Sequence, residues 1–326
     1  MVYEIDSSEV SVVLQGPVEK GITHNAIKKI RKVLPQSEII LSTWENSNVS
    51  DIAVDSLILN KDPGGFPDKN VKTFTNNTLR QLTSTIVGIR KAKRKYILKM
   101  RSDIYLENDN FLKYFQKFPK RDERFKFFSH RIIICSFFSK KYLSYKNLIC
   151  PVPYHMSDWL AFGLNEDIKK LYDIELPVEP DNSWYFADIK TSTEKVNLLG
   201  CSHRFAPEQY IFVNSFSKCF DLNFSDYMDY NKINISLSER LFANNFIILD
   251  PWQLKLTSGK EKTGNDKYRL WTKCQLFVPH NLWVGLYRNY IFQCDYIKYC
   301  DKDYNIALYD SIKEFSLRVW YKWIRR

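Results

Sequence analysis

Long apolar runs are absent from the sequence. No stretch among its 326 residues approaches the ~20 consecutive apolar residues that a membrane-spanning helix needs. The N-terminal segment MVYEIDSSEV lacks the basic start and the apolar stretch of a secretory signal. We therefore expect a cytoplasmic protein, either soluble or peripherally bound to the inner face of the plasma membrane.

Paired cysteines are also absent. The seven cysteines are odd in number and include no CxxC pair, whereas zinc sites and disulfide frameworks use closely spaced or even sets of cysteines. We expect most of them to be buried thiols in a reducing compartment.

Four common catalytic motifs are missing. The chain contains no GxxxxGK[ST], GxGxxG, HExxH or GxSxG sequence, which argues against kinases, dehydrogenases, metalloproteases and serine hydrolases. It also has no RNP-like or zinc-knuckle motif, so we expect no nucleic acid partner.

Positive charge and aromatic side chains are abundant. The net charge is +11 and aromatic residues make up 15% of the chain. A basic surface attracts anionic lipids and phosphorylated substrates, and aromatic rings provide buried area as well as stacking platforms. This balance fits an enzyme that acts on phosphorylated substrates, and it also fits a non-enzymatic polyanion-binding protein.

The first half of the chain alternates strand-like and helix-like segments. Such alternation predicts an α/β fold with a mostly parallel, Rossmann-type sheet that is flanked by helices. The second half is less regular. The predicted strands span residues 10–14, 38–43, 56–60, 95–100 and 158–164, and the predicted helices span residues 23–34, 75–92, 165–172 and 207–216.

Polar or turn-forming residues follow each of the first four predicted strands. In such sheets the ligands bind at the carboxyl ends of the strands, which lie along one edge. We therefore expect the functional residues in QGP at 15–17, STW at 42–44, KDPGG at 61–65 and RSD at 101–103.

The segment YILKMRSDIYL at residues 96–106 delivers three charges to the end of an apolar strand. A diphosphate would explain them, because Asp103 can ligate Mg²⁺ or Mn²⁺ while Lys99 or Arg101 pairs with phosphate. A structural ion pair at the strand end is the alternative.

Two turns offer close backbone approach and a carboxylate. Gly16 lets a ligand approach the main chain, and Pro17 fixes the turn after Gln15. Asp62, in a turn with Gly64, can accept a hydrogen bond from a ribose hydroxyl or a nucleobase N–H. Ordinary turns have the same composition, so both interpretations stay open.

The long helix predicted at residues 75–92 carries polar residues near its apolar face. Asn76 and Arg80 lie one turn apart there, where they could point at the cleft that Thr43 also borders. A solvated helix face is the alternative.

Two carboxylates in the second half are candidate bases. A hydroxyl group that attacks an electrophile must lose its proton, and Glu208 or Asp158 could take it. Glu208 follows Pro207 at a predicted helix start, so it could equally serve only to stabilise that terminus. The preceding His203 and Arg204 could contact phosphate or sugar.

Several of these segments, in this order and spacing, resemble the WavE-type lipopolysaccharide-synthesis family. The resemblance runs from about residue 10 to residue 212. Its motifs are VVLQGPV at 12–18, EIILSTW at 38–44, RQLTSTIVGI at 80–89, KMRSD at 99–103, SDWLAFG at 157–163 and PEQY at 207–210.

The resemblance implies a glycosyltransferase with a GT-A-like fold that builds lipopolysaccharide core or capsule. Its donor would be a nucleotide-sugar, and its acceptor would be lipid-linked or an oligosaccharide. RSD would occupy the place of the DxD metal motif, with Arg101 replacing the first acid and Asp103 as the remaining ligand for Mg²⁺ or Mn²⁺.

The resemblance and the residue patterns described above together assign roles to individual residues. Glu208 would be the catalytic base, with Asp158 as its rival. The expected acceptor-binding residues are Trp159, His203 and Arg204. The expected donor-binding residues are Gln15, Gly16, Pro17, Thr43, Asp62, Gly64, Asn76, Arg80, Lys99, Arg101 and Asp103.

We expect a catalytic domain at residues 1–220 and an aromatic-rich, largely helical C-terminal extension at 221–326. Within the domain, the nucleotide-sugar half would cover about residues 1–106 and the acceptor half about residues 107–220. A basic amphipathic helix predicted at 310–326 suits an anionic membrane surface, and it would equally suit packing on the protein's own core.

A sugar-phosphate nucleotidyltransferase is an alternative enzyme class with a similar sheet. Such enzymes hold a triphosphate in a glycine-rich N-terminal loop, whereas QGPVEK has a single glycine. The sequence therefore favours sugar transfer.

Overall fold

The computed structural model describes residues 5–145, 148–187, 201–260 and 275–291. The helix predicted at residues 310–326 lies outside these ranges. No helix within them is long and apolar enough to cross a bilayer. In chain order the strands are β1 (Val10–Gln15), β2 (Glu38–Trp44), β3 (Ser56–Asn60), β4 (Phe66–Pro67), β5 (Thr75–Asn76), β6 (Tyr96–Arg101), β7 (Ile104–Leu106), β8 (Ile132–Cys135), β9 (Lys140–Tyr145), β10 (Leu148–Pro151), β11 (Leu160–Leu164), β12 (Phe246–Leu249), β13 (Leu256–Ser258) and β14 (Gln275–Phe277). The helices are α1 (Ile22–Val33), α2 (Thr78–Lys91), α3 (Asn165–Leu171), α4 (Pro207–Phe216), α5 (Lys232–Asn245), α6 (Pro251–Leu254) and α7 (His280–Ile291).

Seven strands form the central sheet, in the order β12–β8–β11–β6–β1–β2–β3. Strands β6, β1, β2 and β3 are parallel to one another, and β12 is parallel to β8. Strand β11 is antiparallel to both of its neighbours. This mostly parallel sheet, flanked by helices, confirms the predicted Rossmann-type fold class.

The parallel strands are apolar because helices cover the sheet. All six residues of β1 are buried, and a strand that is covered on both faces reads as a continuous apolar run. Helix α2 packs closely on β1, since a Cβ added at Gly88 would lie 2.6 Å from Cγ1 of Val13. The carboxyl ends of β6, β1, β2 and β3 consequently meet along one edge.

Helix α2 begins three residues later than predicted. Residues 75 and 76 pair with β4 as the short strand β5. Asn76 Oδ1 then accepts hydrogen bonds from N and Oγ1 of Thr78, at 2.9 and 2.6 Å. The prediction that Asn76 lies on the helix is wrong, because its side chain accepts the hydrogen bonds of the turn that precedes the helix.

The predicted strand at residues 158–164 is also shorter than expected. Strand β11 starts at Leu160, and Asp158 and Trp159 lie in the loop before it. Because β11 is antiparallel to β6, this loop meets the carboxyl end of β6, where Arg101 N donates to Trp159 O at 3.4 Å. The loop therefore joins the edge at which the parallel strands end.

The chain after residue 220 contributes to the same core. Strand β12 forms an edge of the central sheet, and helices α5 and α7 both pack against it. Strand β13 pairs with β7, placing Ser258 opposite Ile104. This pairing brings a late part of the chain next to the RSD segment.

Candidate active site

The ends of β1 and β6 lie side by side. Gln15 and Arg101 are register partners, and Ser102 N donates to Gln15 O at 2.9 Å. Ser102 Oγ donates to Pro17 O at 2.7 Å. Gly16 has φ of +114°, and a Cβ there would lie 3.3 Å from Ser102 Oγ. The QGP and RSD segments are therefore bonded to each other, and together they form one surface at the ends of β1 and β6, which we call the floor of the site.

A cluster of three charges lies at the end of β6. Arg101 Nε and Nη2 donate to the two carboxylate oxygens of Asp103, at 3.0 and 2.8 Å. Lys260 Nζ lies 3.1 Å from Asp103 Oδ2 and 2.5 Å from Glu19 Oε1. Burial alone would raise the pKa of Asp103, but the hydrogen bonds and charges of Arg101 and Lys260 lower it to about 2. We call Arg101, Asp103 and Lys260 the RDK cluster.

The donor set at RSD fits a divalent cation poorly. Mg²⁺ and Mn²⁺ need carboxylate or other oxygen ligands whose lone pairs are available to the ion. The single carboxylate of RSD is 8% exposed, and both of its oxygens already accept from cationic groups. A metal ion at Asp103 would have to displace Arg101 and Lys260 together.

Lys99 lies beneath this edge. Its side chain is completely buried, and its ammonium donates to the main-chain carbonyl of Asp158. Burial lowers the pKa of Lys99 to about 8, against the opposing influence of the Asp158 charge. Lys99 therefore contacts the main chain of the loop before β11 and is screened from solvent.

Glu208 stands in the first turn of α4, where Pro207 opens the helix. Its side chain is 12% exposed. Burial, and after it the negative charge of Asp158, raise the pKa of Glu208 to about 7, while the charges of Lys140 and Arg101 act in the opposite direction. The two predicted carboxylates and the strand-end cations thus lie close enough to influence one another.

A buried histidine faces Glu208. His155 Nε2 lies 3.8 Å from Glu208 Oε2. Burial, helped by the charge of Lys140, lowers the pKa of His155 well below its usual value, so the ring is neutral at neutral pH. Its Nδ1 lies 2.9 Å from the Phe138 carbonyl, and a carbonyl can only accept, so Nδ1 carries the proton and Nε2 is free to accept one.

The remaining donor-side residues are tied together through α2. Arg80 Nε and Nη2 donate to Asp62 at 2.7 and 2.8 Å, and Gly64 N donates to Asp62 Oδ1 at 2.9 Å. One turn further along α2, Ser84 Oγ donates to Gln15 Oε1 at 3.1 Å. Asp62 is thereby linked to the floor by a single helix.

Thr43 is completely buried at the end of β2. Its Oγ1 lies 3.0 Å from Ser47 Oγ, and its carbonyl accepts from Asn60 Nδ2 at 2.9 Å. These contacts hold the ends of β2 and β3 together. Thr43 is therefore shielded from solvent at the edge where the parallel strands end.

The predicted acceptor residues make separate sets of contacts. The Trp159 ring packs against Phe137, with centroids 4.4 Å apart, and lies 5.7 Å from the Arg101 guanidinium. His203 Nδ1 lies 3.8 Å from Asp68 Oδ2, and Arg204 Nε donates to Ser225 O at 2.7 Å. His203 is also close enough to His155 for its charge to add to the burial that lowers the pKa of that ring. Trp159 thus borders the RDK cluster directly.

His203 belongs to a group that could hold a metal ion. Ligand atoms of Asp68, Cys201 and His203 lie within 4.8 Å of one another, and a thiol with an imidazole suits zinc better than Mg²⁺ or Mn²⁺. Asp68 already accepts main-chain N–H bonds from Asn70, Val71 and Ser202. Through those bonds the Asp68 carboxylate joins two loops without any metal ion.

Sequence reasoning missed Lys260, His155, Lys140 and Glu19. Lys260 reaches the site only through the pairing of β13 with β7, for which the sequence has no local signal. His155 lies three positions before Asp158 in PYHMSD, and that proximity could have identified it.

The comparison with protein families agrees with the resemblance seen in the motifs. A model of the WavE lipopolysaccharide synthesis family matches residues 10–318. None of the curated proteins compared with the chain matches it. Among solved structures, the chain is similar to a mutant Drosophila β-1,4-galactosyltransferase 7 in complex with manganese, UDP-Gal and xylobiose, with 13% identity and a TM-score of 0.24. That alignment covers 49% of this chain and 51% of the other, so the chain spans about half the length of that protein. Because the family model matches nearly the whole chain, the protein belongs to the WavE lipopolysaccharide synthesis family.

Proposed function

We propose that this protein is a glycosyltransferase that moves a sugar from a nucleotide-sugar donor to a lipid-linked or oligosaccharide acceptor of a bacterial surface polysaccharide. The product would be lipopolysaccharide core or capsule. We place the reaction at the cytoplasmic face of the plasma membrane, because a net charge of +11 favours an anionic lipid surface.

The observation that carries this proposal is the environment of Glu208. Burial and Asp158 raise the pKa of its carboxyl group to about 7, which is the range in which a general base works best at neutral pH. Its partly exposed side chain lies beside the strand-end edge where α/β folds bind ligands. An acid that served only to stabilise the start of a helix would be more favourable in solvent, because burial disfavours its ionised form.

In the proposed reaction, the acceptor hydroxyl oxygen forms a bond to the anomeric carbon of the donor sugar. Glu208 takes the hydroxyl proton as that bond forms. The bond between the anomeric carbon and the diphosphate oxygen breaks, and the nucleoside diphosphate leaves with the bonding electrons. His155 Nε2, which faces Glu208, can accept a hydrogen bond from the newly protonated carboxyl group.

Lys99 and Asp158 contribute to this step through the position of a loop and through the pKa of Glu208. The Lys99 ammonium fixes the loop before β11 through the Asp158 carbonyl, and the Asp158 carboxylate raises the pKa of Glu208. We therefore assign Lys99 and Asp158 as positioning residues. Trp159, in the same loop, lies 5.7 Å from the Arg101 guanidinium and is a candidate platform for a sugar ring.

The test is a transfer assay with the full chain, a panel of UDP-, GDP-, CMP- and ADP-sugars, and lipopolysaccharide precursors as acceptors. We expect one donor to be consumed, and Glu208→Gln to lower the rate by about 10²- to 10⁴-fold. The matched control is Glu166→Gln, which removes an exposed acid from the first turn of α3. Equal rates for the two variants, or release of pyrophosphate from a nucleoside triphosphate, would refute the proposal.

A further inference from the structure

The carboxylate of the RDK cluster is buried, and its cationic groups are more exposed. The Asp103 side chain is 8% exposed, whereas those of Arg101 and Lys260 are 36% and 44% exposed. The two cationic groups that Asp103 holds therefore face outward. An anion that approaches this edge meets these two positive charges, with Glu19 paired to Lys260 beside them.

Lys260 is placed by the main chain that precedes it. Ser258 pairs with Ile104 across β13 and β7, and Gly259 N donates to Asp103 O at 2.8 Å. A Cβ at Gly259 would lie 2.4 Å from Cγ2 of Ile22, so only glycine fits this close approach. Lys260 thus follows an anchored segment and does not reach the site from a free loop.

The current partner of Lys260 indicates what it could bind. Glu19 Oε1 lies 2.5 Å from Lys260 Nζ, and the Glu19 side chain is 31% exposed. A carboxylate oxygen at this position resembles a phosphate oxygen in charge and in hydrogen-bonding geometry. A phosphate that replaced Glu19 would keep the ion pair of Lys260.

We infer that Arg101 and Lys260 hold the diphosphate of the donor, and that they replace a carboxylate-bound divalent cation at this site. The inference rests on the proposed function, because it concerns the donor of that reaction. Asp103 is a positioning residue that orients both cations. Arginine presents a fork of N–H donors that matches two phosphate oxygens, and lysine adds a second point charge where the leaving group gains negative charge.

The consequence is donor binding without Mg²⁺ or Mn²⁺. The experiment is calorimetric titration of UDP, GDP, CDP and ADP into the full chain, in metal-free buffer and again with Mn²⁺. We expect one diphosphate to bind with nearly the same Kd in both buffers. Arg101→Gln and Lys260→Gln should each weaken that binding by about tenfold or more, as expected for the loss of a charge-assisted hydrogen bond.

The control is Lys126→Gln, which removes a comparably exposed lysine that is also paired with a glutamate. Thermal unfolding of each variant without ligand separates lost binding from lost folding. Binding that requires Mn²⁺ would overturn the inference but leave the proposed function standing. Metal-free binding that survives both substitutions would overturn the assignment to Arg101 and Lys260. A failure of every diphosphate to bind in either buffer would overturn the inference, and the transfer assay with its full donor panel then tests the proposed function separately.

Discussion

His155 Nε2 and Glu208 Oε2 lie 3.8 Å apart in a largely buried setting. The imidazole is neutral, with its proton on Nδ1, and the carboxyl group titrates near neutral pH. A carboxylic acid beside a bare imidazole nitrogen is stable, whereas an ionised carboxylate there lacks a compensating charge from the ring. This pair therefore makes the proton content of the site sensitive to pH near 7.

The rate of transfer should follow the ionisation of Glu208. Because the pKa of this group is raised to about 7 and the base is the deprotonated form, kcat/KM should rise with pH below about 7 and level off above it. Measurement of kcat/KM from about pH 5.5 to about pH 8.5 tests this. A flat profile across that range would exclude Glu208 as the base.

The free energy of unfolding should fall as the pH rises, whereas the rate of transfer should increase. The folded protein binds the Glu208 proton more tightly than the unfolded chain does, so raising the pH through 7 destabilises the fold. Glu208→Gln should therefore stabilise the protein at pH 8 by about 1–3 kcal/mol. The gain should nearly vanish at about pH 4, where the acid is protonated in both the folded and the unfolded state.

Urea unfolding at the two pH values measures this difference. Glu166→Gln, at an exposed position, should change the free energy of unfolding little at either pH. A Glu208→Gln variant that is less stable than the parent at pH 8 would contradict the raised pKa.

Replacement of Lys99 by methionine should move the pH profile. The ammonium favours the ionised form of Glu208 through its charge, so Lys99→Met should shift the rising part of the kcat/KM profile to higher pH. Methionine keeps the chain length and fills the buried space. Lys126→Met serves as the control at a surface position. A lower rate with an unshifted profile would mean that Lys99 acts through the position of the loop before β11 and not through its charge on Glu208.

Two helical glycines should respond oppositely to alanine. At Gly88, the new Cβ would lie 2.6 Å from Val13 Cγ1, so Gly88→Ala should destabilise the protein by about 1–3 kcal/mol. At Gly285 in α7, no described atom lies within 4 Å of the added Cβ. Gly285→Ala should stabilise the protein by about 0.5–1 kcal/mol. Thermal unfolding of both variants tests the packing of α2, and equal midpoints would contradict it.

The sequence was most informative where local pattern decides structure. Strands β1, β2 and β6 were predicted because buried parallel strands are continuous apolar runs. Strand β3 was predicted from its short apolar run, although Leu57 and Leu59 are exposed. The polar ends of these four strands marked the site edge. Helix α4 was predicted with the observed bounds, since Pro207 is a strong helix-start signal.

Long-range pairing accounts for most of what was not predicted. The antiparallel direction of β11 and the addition of β12 to the sheet depend on partners that are distant in sequence. The same holds for Lys260, which is near Asp103 only because β13 pairs with β7. The late start of α2 is a local miss, since the turn that the Asn76 side chain forms with Thr78 competes with helix formation.

The pairing of β13 with β7 has a consequence for biosynthesis. It joins positions far apart in the chain, as shown by Thr257 Oγ1 and Glu107 Oε1, which bond across a separation of 150 residues. A ribosome must therefore translate past residue 260 before Lys260 can meet Asp103. Translation products that stop before that residue would carry Arg101 and Asp103 without the third member of the RDK cluster.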